Sequence, residues 1–103
     1  MTLNEIRTLL VSADANIKHY FSKNTASAYS YWEETQRLPV LADDRHEEMW
    51  RFYVHRYTKT ENDTTAQALF DALDADPRVS VRWVQGGYDR DSGYLHHIFE
   101  CEG

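Results

Sequence analysis

A chain of 103 residues with 42% hydrophobic and 14% aromatic content is sized for one domain, here 1–103, and lies above the composition of disordered chains. With 11 Lys and Arg against 17 Asp and Glu, the net charge of −6 disfavours specific nucleic-acid binding, because most of that affinity comes from cations that neutralise phosphates. No run approaches the ~20 apolar residues of a membrane span, the start lacks the pattern of a secretory signal, and the lone Cys101 excludes an internal disulfide, so a cytoplasmic setting without membrane contact is expected.

Thr2 and Glu5 stand in the capping-box relation, and Leu3, Ile6, Leu9 and Leu10 follow at helical spacing, which predicts a helix from 2 to about 13. Asp14 and Asn16 end it. Ile17 to Phe21 is a short β-favouring stretch, and Ser22 to Ser27 reads as a loop. Tyr29, Tyr31 and Trp32 predict a strand ending at Glu33 and Glu34, followed by a connection from Arg37 through Pro39 to Asp44. The clearest strand runs from about Glu47 to Tyr57. There Trp50, Phe52 and Val54 form the face expected to be buried, alternating with Met49, Arg51, Tyr53, His55 and Tyr57. Thr64 with Gln67 suggests a second capping box, opening a helix to about Ala75 through Ala66, Leu69, Phe70 and Leu73. Val79, Val81 and Trp83 give a fourth strand, Gln85 to Gly93 reads as turn, and Tyr94 to Cys101 is the last strand, with Leu95, His97, Phe99 and Cys101 on one face. The order α-β-β-β-α-β-β predicts an α+β domain with two helices on one face of a mainly antiparallel sheet.

The opposite sheet face is not plainly polar. Tyr29, Tyr31, Met49, Tyr53, Tyr57, Tyr94 and Ile98 fall there, so either another layer of the chain or a partner covers them. The connection also carries Leu38, Val40 and Leu41 without a period that assigns them to the core. They either dock on a neighbouring molecule or fold back on their own domain, with Asp43 and Asp44 solvated or facing a lumen.

No constellation of catalytic or metal-binding type stands out. Histidines 19, 46, 55, 96 and 97 with Cys101 lack a zinc spacing, and His96 and His97 point to opposite faces of a strand. Asp89-x-Asp91-x-Gly93 with Glu100 resembles a calcium loop, but Tyr94 stands at the position that needs glycine and a strand follows, so a hairpin turn is expected. The carboxylate pairs at 33–34, 43–44 and 47–48 are adjacent residues that face apart on a strand. No nucleophile elbow or phosphate loop is present, so neither enzyme activity nor a cofactor is expected.

The run Tyr29-Ser30-Tyr31, Pro39 followed by Ala42-Asp43-Asp44, a long strand closing on Tyr57-Thr58-Lys59, a helix with Leu69 and Leu73, and a hairpin with Asp91-Ser92-Gly93-Tyr94 together resemble the tail terminator proteins of long-tailed bacteriophages and prophages. The opening Met1 to Arg7 before a leucine-bearing helix is also similar to that family. The resemblance covers nearly the whole chain, with Leu41 where an aromatic is usual and aspartates in the 88–92 turn where many relatives carry glutamates. It implies a structural virion-assembly protein: a homo-oligomer, hexameric in this family, that caps the tail tube and joins the tail to the head connector. The implied partners are further copies of itself, the tail tube protein and the head-tail connector protein. The implied location is the bacterial host cytoplasm during assembly and then the virion tail. The expected assembly interface comprises Leu38, Val40, Leu41, Tyr29, Tyr31, Tyr53 and Tyr57. An acidic lumen that repels passing DNA would suit Asp43 and Asp44. The alternative from another class is a small acidic inhibitor or immunity-type protein that binds a basic partner protein. A metal- or carboxylate-based enzyme ranks third.

Overall fold

The computed structural model describes residues 1–21, 27–40 and 48–103. Helix α1 (Leu3–Ala13) is followed by strands β1 (Lys18–His19), β2 (Ala28–Leu38) and β3 (Met49–Thr58), helix α2 (Thr64–Ala75), and strands β4 (Ser80–Asp89) and β5 (Tyr94–Glu102). The strands form one sheet in the order β1-β2-β3-β5-β4. All pairings are antiparallel except the short β1–β2 contact, which is parallel. This is the expected α+β architecture, in which a stretch with a helical apolar stripe buries it on a sheet face.

Local chemistry accounts for the element boundaries. The Thr2 side chain accepts from the Glu5 N–H and the Glu5 carboxylate accepts from the Thr2 N–H, closing the capping box that starts α1. Helix α2 spans the expected residues but starts differently: Asp63 is the N-cap, its carboxylate accepting from the Ala66 N–H at 3.0 Å. The Thr64–Gln67 box is therefore corrected by one position, because a carboxylate in the cap site meets the free N–H groups directly. Strand β2 runs past Glu34 to Leu38 through an irregularity at Thr35. Leu38 is thus the last residue of a strand, opposite Met49, and not part of the connection. Strand β4 continues through Gly86 and Gly87 to Asp89, past an irregularity at Val84. A Cβ on Gly86 would lie 3.1 Å from both the His97 ring and the Trp83 indole, so this glycine lets two rings close over the strand. The turn itself is short: the Asp89 carboxylate accepts from the Asp91 N–H, and Gly93, at φ +76°, donates from its N–H to the Asp89 carbonyl.

Both helices lie on one face of the sheet. Ile6 and Leu10 of α1, Ala66, Leu69 and Leu73 of α2, and Trp32, Phe52, Val54, Phe99 and Cys101 of the strands form the buried core together with Ile17. Trp50, Val79 and Val81 pack on its margin. The even-numbered face of β3 is the inward one, as its alternation predicts.

That same parity carries Arg56 inward, where it is buried. Its Nε donates to Asp63 at 2.8 Å, one terminal nitrogen donates to the Ser30 hydroxyl at 3.1 Å, and Asp14, the C-cap of α1, lies 3.8 Å away. Burial opposes charge on Asp63, but the bonds from Arg56 and the Ala66 N–H outweigh it and hold the carboxyl below its usual range. One cation therefore joins the end of α1, the start of α2 and two central strands.

Two substitutions check this layer. Leu69→Ala should lower unfolding free energy by about 2–5 kcal/mol in urea titration, the cost of truncating a buried leucine. Arg56→Ala should lower it by about 3–5 kcal/mol, because the half-buried carboxylates of Asp63 and Asp14 are left without their cation. A loss below about 1 kcal/mol for Arg56→Ala would mean that water already serves these carboxylates.

Candidate interaction surface

The face of the sheet turned away from the helices has no second layer among the described elements, and its side chains cover one another instead. Strand register sets Tyr29, Tyr31 and Glu33 of β2 beside Tyr57, His55 and Tyr53 of β3, and those beside His96, Ile98 and Glu100 of β5. Tyr57 stacks on His96 with centroids 4.0 Å apart, Tyr31 on His55 at 4.4 Å, and Tyr29 on Tyr57 at 4.8 Å. Tyr94 meets Tyr29 and Tyr57 edge-on, and Phe21 meets Tyr31 in the same way. The Lys59 ammonium lies 5.0 Å from the centre of the Tyr94 ring, a cation–π distance. These are the cross-strand aromatic pairs that stabilise a sheet face in water.

Within this layer the two histidines are hydrogen-bonded, His55 Nδ1 to His96 Nε2 at 3.1 Å, and His55 Nε2 lies 3.3 Å from Glu33. With Glu33 ionised, His55 donates from Nε2, and its Nδ1 then accepts the proton of His96 Nε2. Burial depresses the His96 pKa to about 4, with His55 acting in the same direction and Asp89 opposing it. Burial likewise lowers His55 despite its bond to Glu33.

The other half of this face is charged. Arg51 donates to Glu102 at 2.8 Å and to Gln36 at 3.2 Å, Arg82 donates to Glu100, and the Tyr53 hydroxyl donates to Glu100 at 3.4 Å. Such exposed pairs fix side-chain positions but add little stability.

The seven residues expected to form an interface are thus dispersed. Tyr31 is buried beneath its neighbours, Tyr29 and Tyr57 are half-buried in the same stack, and Tyr53 belongs to the charged half. Tyr31 therefore has little free surface, since a period-2 count assigns it a face but not the rings that lie over it. Leu38 is half-buried at the end of β2, and Val40 lines a shallow groove with Met1, Glu48 and Met49. Leu41, Asp43 and Asp44 lie outside the described residues.

The large apolar side chains that are exposed lie elsewhere. Among the described residues they are Val11, Tyr20, Phe21, Trp83, Val84 and Tyr88. All but Val11 fall on the two outermost strands or directly after one of them: Tyr20 and Phe21 follow β1, and the other three belong to β4. Tyr20 is held in a left-handed conformation at φ 70°, uncommon for an aromatic residue. Its N–H donates to the Trp32 carbonyl and its hydroxyl to Glu34, while its ring stacks on His19, which in turn stacks on Trp32. Glu34 also takes a 2.7 Å bond from His19, and although burial opposes charge there, these bonds keep its carboxyl below the ordinary range. At the other edge Trp83 packs edge-on against Phe99 and His97 and is 38% exposed. No local signal in the sequence marks these residues, because their place at the ends of the strand order is set by long-range pairing.

No family model matches the chain, and no curated protein matches it. Among the described residues, no group of three or more His, Cys, Asp and Glu side chains is placed to hold a metal ion, and no helix is long and apolar enough to cross a membrane.

The aromatic layer makes a pH-dependent prediction. His55, His96 and, on the helix-covered face, His97 all have pKa values lowered by burial, so each binds a proton more readily in the unfolded chain. The unfolded state then carries more protons between the ordinary histidine value of about 6.5 and about 4, and stability, complete above that window, declines as pH falls through it. The urea midpoint should drop between about pH 7 and about pH 5, and His96→Gln should drop less over the same interval. An equal drop in the variant would remove His96 from the account.

Proposed function

We propose that this protein is a ring-forming structural subunit of the tail terminator type, which caps a phage tail tube and presents the tail to the head connector. The observation that carries the reading is the distribution of exposed apolar side chains to the two opposite edges of one sheet. A subunit of a cyclic ring touches one neighbour with one patch and the other neighbour with a different patch, so it needs two such surfaces on opposite sides. The resemblance in motif order supplies the tail context, and the net charge of −6 suits a ring through which DNA passes without adhering. On this reading the partners are further copies of the chain, the tube protein and the connector protein. Binding energy resides in rings and apolar side chains at the edges more than in the stacked tyrosines of the open face. An inhibitor of a basic protein would instead use a single acidic patch and remain monomeric until its target binds.

Light scattering and negative-stain microscopy test the proposal on the purified chain alone and mixed with tail tubes. The expected outcome is a closed oligomer, or density added at one end of each tube. A chain that stays monomeric at high concentration and leaves tube ends bare would overturn it.

A further inference from the structure

Strand β4 is ten residues long and, among the described residues, pairs on one side only, with β5. At the opposite side of the sheet, the two residues of β1 cover Tyr31 and Trp32 of β2. Among the described residues, no strand pairs with the stretch from Glu33 to Leu38 on that side. The molecule therefore presents two rows of backbone donors and acceptors, and each row is flanked by exposed rings: Trp83 and Tyr88 with Val84 at one, Tyr20 and Phe21 at the other. An unpaired edge of this length is a template for another strand.

We infer that the β4 edge of one copy pairs with the β1–β2 edge of a second copy, continuing the sheet from subunit to subunit. This names the contact within the ring and rests on the reading above. Strand direction supports it. Because β2 and β5 run alike and β4 runs against both, a neighbour related by rotation about an axis along the strands brings its β1–β2 edge antiparallel to β4. Antiparallel pairing is the more stable arrangement per residue and needs no crossover. The contact is heterologous, so rotation closes it into a ring or extends it as a filament. The register shift at Val84 is of the kind that blunts an edge against flat foreign strands.

Thiol cross-linking reads this junction cleanly, because the native Cys101 is fully buried and burial raises its pKa far above the usual thiol range. Val84→Cys and Phe21→Cys are made as separate proteins, and their folding is checked by circular dichroism. They are then treated with a short bis-maleimide alone and as a mixture. The mixture should give a cross-linked dimer that neither variant gives alone, and a chain carrying both substitutions should give a ladder of higher oligomers. Tyr88→Cys with Phe21→Cys is the second pair, so a disturbed irregularity at Val84 does not decide the result. Efficient cross-linking of Val84→Cys to itself would replace this junction with a symmetric β4–β4 dimer. Absence of product in both mixtures would also overturn the inference. If the native chain caps tubes while both mixtures stay unlinked, this junction fails and the terminator reading survives. A ladder from a chain that ignores tubes would keep the junction and remove the terminator reading.

Discussion

The buried guanidinium of Arg56 is the constraint on which the arrangement of both helices depends. It lies on the inward face of a central strand, where its neighbours Val54 and Thr58 are also buried. Its bonds reach the N-cap carboxylate of α2, a hydroxyl on β2 and, at longer range, the C-cap of α1. A charge in that position is costly unless its partners are fixed. The partners here are themselves the points at which the helices begin and end, so satisfying the charge also sets where each helix meets the sheet. Apolar packing of Leu69, Leu73, Ile6 and Leu10 supplies the larger part of the burial energy, but it is less directional. The ion pair adds directional contacts at the points where the two helices meet the sheet.

Because both helices are committed to one face, the other face has to manage with the strands alone. Rings stack across β2, β3 and β5 over one half, and arginine–carboxylate pairs span the other. The aromatic half shields itself, which leaves less free apolar surface there than a count of outward tyrosines suggests. The histidine pair at its centre is held below the ordinary histidine range for the same reason: burial removes the water that would solvate a charge. The unsatisfied surface of the molecule is consequently at its margins, where strands run out of partners. The exposed apolar side chains are accordingly Tyr20, Phe21 and those of β4, while Tyr29, Tyr31 and Tyr57 are buried or half-buried in the stack.

The elements and their order are legible in the chain alone. The Thr2–Glu5 box, the apolar period of 66–73 and the alternation of 49–57 each follow from contacts within a few residues, and the structure has them where they were expected. Local signals were weaker where two chemistries compete for the same residues. Gly86 and Gly87 have the composition of a turn, yet they belong to a strand because they pair with His97 and His96 of β5, and at Gly86 two rings take the space a side chain would fill. Asp63 is the cap in place of Thr64, its carboxylate held by Arg56 of the adjoining strand as well as by the Ala66 N–H.

Which residues are exposed follows instead from long-range packing. Arg56 and Arg51 look alike in the chain, but one closes the core and the other lies on the open face, a difference set by strand parity together with the side on which the helices dock. Sheet order is likewise invisible locally: β4 is an edge and β5 an interior strand because β5 returns to pair with β3. That pairing is long-range and leaves Val84 and Tyr88 at one end of the sheet, while the β1–β2 pairing puts Tyr20 and Phe21 at the other. Periodicity assigns a side chain to a face, whereas its exposure depends on what the rest of the chain brings over it.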